Sequence, residues 1–164
     1  MLKQFDFKLT EKSFYVDMEF NAYSIIPAKS IVYYDLDIYR YFLGRVDQSI
    51  SQASFVRNRF QHENVLLNII SIVNSFDISE EKKDYINRLL IIPMIKSHYI
   101  IVSDYSRSGK EFRKFDRILK KYPRYYYDSN ITTKFVVFNR KTKGLFVNIS
   151  PLLKKIYNII RRIK

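Results

Sequence analysis

Two stretches of this sequence hold the residues best suited to chemistry, and that chemistry is the recognition of phosphate and of unpaired bases. Between Arg107 and Arg124 basic residues are interleaved with Phe112, Phe115 and Tyr122, and Arg140, Lys141, Thr142 and Lys143 follow one another directly. Lys and Arg neutralise phosphodiester oxygens, while Tyr, Phe and guanidinium planes stack on exposed bases. Other chemistries lack their residues. The absence of cysteine removes disulfides, thiolate metal sites and thiol nucleophiles. His62 and His98 fall in different expected elements, with no acidic residue at a metal-binding spacing, so neither a metal nor another cofactor is expected. Ser106-Arg107-Ser108-Gly109-Lys110 is superficially like a phosphate loop, but Asp104 stands where the leading glycine is needed and Glu111 where the magnesium-binding hydroxyl is needed. Asp35 with Asp37, and Glu80 with Glu81, read as solvated charge in polar connectors. Neither an enzymatic activity nor a small-molecule substrate is expected from such a set.

The charge distribution agrees with a polyanionic partner. The chain carries 29 Lys and Arg against 16 Asp and Glu, a net charge of +13. Up to Lys82 there are 9 basic and 11 acidic residues; beyond it there are 20 and 5. A scaffold half followed by a polyanion-contacting half fits this asymmetry. With 164 residues, 47% apolar and 27% charged, the chain is long enough to bury a core. Its apolar runs, such as Leu89 to Ile95, stop well short of the roughly 18 to 20 residues of a membrane span, so no span is expected. Phe, Tyr, Ile, Asn and Lys, all with AT-rich codons, are abundant and glycine is scarce, which points to an AT-rich genome such as that of an organelle, a parasite or a virus. Asp6, Glu11, Asp17 and Glu19 fit neither a secretory signal nor an acid-poor transit peptide. A chain working in an organelle would thus be made there or already processed.

The elements that must position the basic residues read as an α/β (α+β) chain. Residues 1–34 form an N-terminal extension in which Phe5, Phe7 and Leu9, and then Phe14, Val16, Met18 and Phe20, alternate with polar neighbours as strands do. Residues 35–82 form an α/β scaffold half. In it, Tyr34 to Val46 has helical spacing, and a stronger helix carries Val65, Leu66, Ile69, Ile72, Val73 and Phe76 on one stripe. Residues 83–149 form a mainly β basic half. Leu89 to Ile95 and His98 to Val102 read as a strand pair, and Ile131 to Phe138 and Leu145 to Ile149 as two strands joined by a basic connector. Between them, Lys110 to Lys121 reads as helix, stopped by Pro123. Residues 150–164 close the chain as a basic amphipathic helix opened by Ser150-Pro151.

The order of these features resembles that of the ribosomal small-subunit protein S-eight family over roughly residues 35 to 149. In that family a strand runs into Ser-Arg-Pro-Gly-Lys, then Leu-Pro, a strand, and a Ser-Thr-Ser-Lys-Gly loop before an apolar residue. Here Ile100-Ile101-Val102 leads into Ser106-Arg107-Ser108-Gly109-Lys110, Tyr122-Pro123 follows, then Phe135 to Phe138, then Arg140-Lys141-Thr142-Lys143-Gly144-Leu145. Upstream, Asp37 to Val46 resembles the first family helix, Phe55 to Phe60 a strand, and Asn64 to Phe76 the second helix. The chain differs in Ser108 for the family's proline, in Arg140 and Lys141 for two hydroxyl residues, and in a basic helix where the family ends on a strand.

The resemblance implies a two-part α/β constituent of the small ribosomal subunit that binds the central domain of small-subunit rRNA, sits among neighbouring ribosomal proteins, and has no catalysis of its own. With the AT-rich composition, it implies a mitochondrion or a comparable organelle. Under it, Arg107, Lys110, Arg113 and Lys114 clamp phosphates, while Arg140, Lys141, Thr142 and Lys143 reach the RNA from an exposed loop. Two other readings place the basic residues differently. One is a DNA-binding or replication accessory protein of an AT-rich virus or plasmid, laying the helix near Lys110 to Lys121 on duplex DNA. The other is an interaction subunit of a membrane complex, docked through the helix Leu152 to Ile163 with its positive face against lipid headgroups.

Overall fold

Ser51, Ser79 and Ser108 show how this chain starts its helices: each hydroxyl accepts the amide of the residue three further on, Ser54 at 3.2 Å, Lys82 at 3.3 Å and Glu111 at 3.2 Å. The computed structural model describes residues 7–40, 42, 51–128 and 134–147. Its helices are α1 (Val16–Ile25), α2 (Gln52–Arg57), α3 (Arg59–Ser75), α4 (Glu80–Ile86), α5 (Ile92–Ile100), α6 (Gly109–Leu119), α7 (Arg124–Asp128) and α8 (Lys134–Lys141). Wide π turns over Asn87–Ile91 and Ile101–Tyr105 join α4 to α5 and end α5. Pro93 accounts for the first of them. Its ring clashes with the carbonyl four residues back, that of Leu89, and a widened turn carries that carbonyl aside.

The described residues contain no strand, so the α/β reading with a mainly β basic half is overturned, and with it the fold that the S-eight resemblance implies. The strand expected at Phe14 to Phe20 gives way to α1, and the strand at Phe55 to Phe60 to α2 and the start of α3. The expected pair Leu89 to Ile95 and His98 to Val102 lies within α5 and its two flanking π turns. Of the two downstream strands, residues 134–138 belong to α8 and 145–147 to a helical turn, while 131–133 and 148–149 lie outside the described residues. Residues 34–40, expected to begin a helix, have no regular structure. The rest of that helix apart from Phe42, the first six residues and the closing segment from Pro151 also lie outside the described residues.

The chain divides into two compact units, residues 1–94 and 95–164. In the first, α1 packs on α3 and α4, and the core is built from Ala22, Tyr23, Ile26, Val65, Leu66, Ile69, Ile70, Val73, Ile86 and Ile91. A charged residue shares that core. Glu19 is fully buried, and its carboxylate accepts from the Thr10 amide at 2.8 Å, the Thr10 hydroxyl at 2.7 Å and the Asn68 amide group at 3.2 Å. Burial and this carboxylate push the phenol of Tyr23, stacked on Phe7, up to about 12. The Lys82 ammonium donates to the carbonyls of Ile26 and Ala28, each at 2.9 Å, so a cation closes the negative end of α1. In the second unit Tyr99, Phe112 and Phe115 form an aromatic core with His98, Leu119, Tyr126, Val136 and Val147. No described helix is long and apolar enough to cross a membrane.

Candidate nucleic-acid interface

α6 forms because Ser108 caps it and because Phe112, Phe115 and Leu119 recur at helical spacing and bury one side. At 100° per residue, Lys110, Arg113, Lys114, Arg117, Lys120 and Lys121 then share about a third of the circumference, with no acidic residue among them. The C-terminal end of α8 faces the same side. Together they line a groove of about 380 Å³ formed by Phe112, Arg113, Asp116, Arg117, Lys120, Asn139, Arg140 and Lys143.

Asp116, the one carboxylate among these lining residues, is engaged from within. Arg140 Nε donates to its Oδ1 at 2.7 Å, and the Tyr99 hydroxyl donates to the same oxygen at 2.8 Å. Arg140 also donates to the Tyr99 hydroxyl at 3.0 Å and to the Tyr127 carbonyl at 3.1 Å, and its guanidinium lies 3.5 Å from the centre of the Tyr127 ring. Only 10% of the Arg140 side chain is exposed. Burial above all, then the Asp116 carboxylate, pushes the Tyr99 phenol far above its ordinary range, and Arg140 pulls the other way. The phenol therefore stays protonated and keeps donating to Asp116.

A glycine contact seats α8 on α6. After α8 the backbone turns through Lys143 (φ 50°) and Gly144 (φ 72°), and the Lys143 carbonyl accepts from Arg113 at 2.8 Å. A Cβ at Gly144 would lie 2.9 Å from the Gly109 carbonyl oxygen and 3.4 Å from its Cα. Gly144→Ala is therefore expected to cost about 2–4 kcal/mol, the sum of a left-handed residue and a clash with fixed backbone. A urea titration followed by tyrosine circular dichroism measures it, and a loss under about 1 kcal/mol would show that the turn relaxes away.

The expected site residues divide accordingly. Arg113, Arg140 and Lys143 meet in the groove, Arg140 as a buried organiser rather than a group on an exposed loop. Lys110 and Lys114 are exposed on the basic face of α6 outside the groove lining, and exposed Arg107 takes a left-handed conformation (φ 53°) just before the Ser108 cap. Lys141 is exposed, and the Thr142 hydroxyl donates back to the Phe138 and Asn139 carbonyls at 3.0 and 3.4 Å. Arg117 and Lys120 line the groove although the motifs did not single them out, and projecting α6 onto a helical wheel finds both. The Ser108 to Glu111 spacing is likewise the signature of a helix cap, which the phosphate-loop comparison concealed. Among the described residues no group of three or more His, Cys, Asp or Glu is placed to hold a metal ion. No protein-family model, curated protein or solved structure matches the chain.

Proposed function

We propose that this protein binds RNA, holding phosphodiester oxygens along the basic face of α6 and in the groove beside α8. The observation that carries the reading is the charge balance of that groove. Arg113, Arg117 and Lys143 stand around a carboxylate already bonded to Arg140 and Tyr99 and paired with Lys120 at 3.9 Å, so the cationic excess is left for a ligand. Half-exposed Tyr125, in α7, offers a ring for an unpaired base, which favours RNA over duplex DNA. The narrower form of the proposal is a constituent of the small ribosomal subunit. Its support is that Ser106 to Lys110 and Arg140 to Gly144, the two segments that resemble the S-eight family, meet at the contact between Gly109 and Gly144.

The test is a salt titration of binding to a central-domain fragment of small-subunit rRNA, to a shuffled RNA of equal length and to duplex DNA. Replacing Arg117, Lys120 and Lys143 together with alanine is expected to lower the slope of log affinity against log salt by about 2, at roughly 0.7 to 0.9 per phosphate contact. An unchanged slope in a folded variant would remove the groove from the interface. A native fragment preferred about a hundredfold over the shuffled one supports the ribosomal form, and equal binding of all three ligands reduces the proposal to general polyanion attraction.

A further inference from the structure

Asp116 is an odd residue to find in a groove that holds phosphate. An ionised carboxylate only accepts hydrogen bonds, so it repels a phosphodiester unless the ligand also brings it a donor. Its two oxygens are unevenly engaged. Arg140 Nε and the Tyr99 hydroxyl both donate to Oδ1, at 2.7 and 2.8 Å, whereas Oδ2 has the Tyr127 hydroxyl at 3.5 Å and the Lys120 ammonium at 3.9 Å, both beyond good bonding distance. Oδ2 therefore keeps acceptor capacity. Asp116 lines the groove with 12% of its side chain exposed, so a ligand there reaches it.

Lys120 lines the same groove, its ammonium 5.1 Å from the centre of the Tyr127 ring. A cation and an acceptor thus stand 3.9 Å apart, with Arg113, Arg117 and Lys143 around them. A ligand that satisfies both carries an anionic oxygen and a hydrogen-bond donor as close neighbours. RNA has that pair in every nucleotide, because the 2′-hydroxyl and the 3′-phosphate sit on adjacent carbons of one ribose. DNA has the phosphate without the hydroxyl, and the donors of a base edge lie across the sugar from the phosphate, too far for a pair this close.

We infer that Asp116 reads the sugar: the groove takes one ribonucleotide, whose 3′-phosphate lies against Lys120, Arg117 and Lys143 and whose 2′-hydroxyl donates to Asp116 Oδ2. Arg140 and Tyr99 are positioning residues, since their bonds to Oδ1 hold the carboxylate in place. The inference rests on the RNA-binding reading of this groove, and it adds the residue that separates RNA from single-stranded DNA.

Anisotropy titrations of the full chain test it with short single strands of one sequence built on ribose, deoxyribose or 2′-fluororibose, the last keeping the sugar pucker of RNA without the donor. The ribose strand is expected to bind about tenfold tighter than either of the others, the worth of one hydrogen bond to a charged acceptor, with the same salt slope for all three because the same phosphates are held. Asp116→Asn keeps its oxygen with Arg140 and Tyr99 and turns an NH₂ group to the position of Oδ2, so it is expected to lose the preference while binding stays salt-dependent. Arg140→Met with Asp116→Leu removes the acceptor altogether and is expected to do the same, helical circular dichroism confirming that each variant is folded. Equal binding of the ribose and 2′-fluoro strands by the parent chain overturns the inference, and a steep salt slope in those same titrations leaves the phosphate contacts of α6 standing. Absence of salt-dependent binding to every strand overturns the RNA reading itself. A ribose preference that survives in a folded variant, or one that follows the base sequence instead of the sugar, overturns the role of Asp116.

Discussion

Arg140→Ala is expected to destabilise the second unit by about 3–5 kcal/mol, the largest effect of any single basic residue in the described structure. The side chain is buried, and its loss strands the Asp116 carboxylate beside the hydroxyl of Tyr99 with only the distant Lys120 ammonium, 3.9 Å away, as a counter-charge. Arg140→Lys recovers little. One ammonium cannot reach Asp116, the Tyr99 hydroxyl and the Tyr127 carbonyl in the directions a guanidinium does, nor lie flat on the Tyr127 ring. Arg140→Met combined with Asp116→Leu is expected to recover most of the loss, because a buried pair replaced by apolar groups leaves no orphaned charge. Urea unfolding followed through tyrosine circular dichroism, the chain having no tryptophan, gives the losses of all three variants against the parent. If Arg140→Ala unfolds within about 1 kcal/mol of the parent, Arg140 is a surface cation and belongs among the RNA contacts.

Glu19→Ala is expected to cost the first unit about 2–4 kcal/mol, at roughly 1 to 2 kcal/mol for each lost hydrogen bond to a charged acceptor, offset by relief of a buried charge. The carboxylate gathers the Thr10 amide, the Thr10 hydroxyl and the Asn68 side chain, and so ties the segment before α1 to α3. Glu19→Gln keeps the shape but turns an NH₂ group toward one donor, and falls between alanine and the parent. The discriminating readout is hydrogen exchange at the Thr10 amide. Protection there should disappear in both variants, and full protection in Glu19→Ala would mean that another acceptor holds Thr10.

These two residues also explain where the sequence was legible and where it was not. α3 was legible because Val65, Leu66, Ile69 and Val73 form a stripe with helical period, and α6 because Phe112, Phe115 and Leu119 do the same. The buried side of α1 is Glu19, Ala22, Tyr23, and on through Ile26, a helical step that begins at a carboxylate. Counting apolar residues alone selects Phe14, Val16, Met18 and Phe20 and returns a period of two. α8 hides in the same way, since Asn139 is fully buried and the Arg140 side chain nearly so, one turn beyond buried Val136. α5 was misread for another reason: a short β-branched run looks alike in a buried helix and a buried strand, and only the longer spacing Ile86, Leu90, Ile91, Met94, Ile95, His98, Tyr99 separates them. The basic groove was half legible. Composition located the charge in the right half, while the role of Arg140 depends on partners far away in sequence, Tyr99 and Asp116.

The contact between Gly109 and Gly144 limits which single-base changes its codons can take. Glycine codons begin with two guanines, and this chain, rich in Ile, Lys, Asn, Phe and Tyr, holds only three glycines. Two of them meet here. A guanine-to-adenine change at either of the first two positions of a glycine codon yields Ser, Arg, Asp or Glu. Each of the four amino acids places a Cβ 2.9 Å from the Gly109 oxygen at a left-handed backbone angle. Guanine-to-adenine changes at this codon are therefore the ones this turn rejects, on packing alone and whatever ligand the neighbouring groove takes.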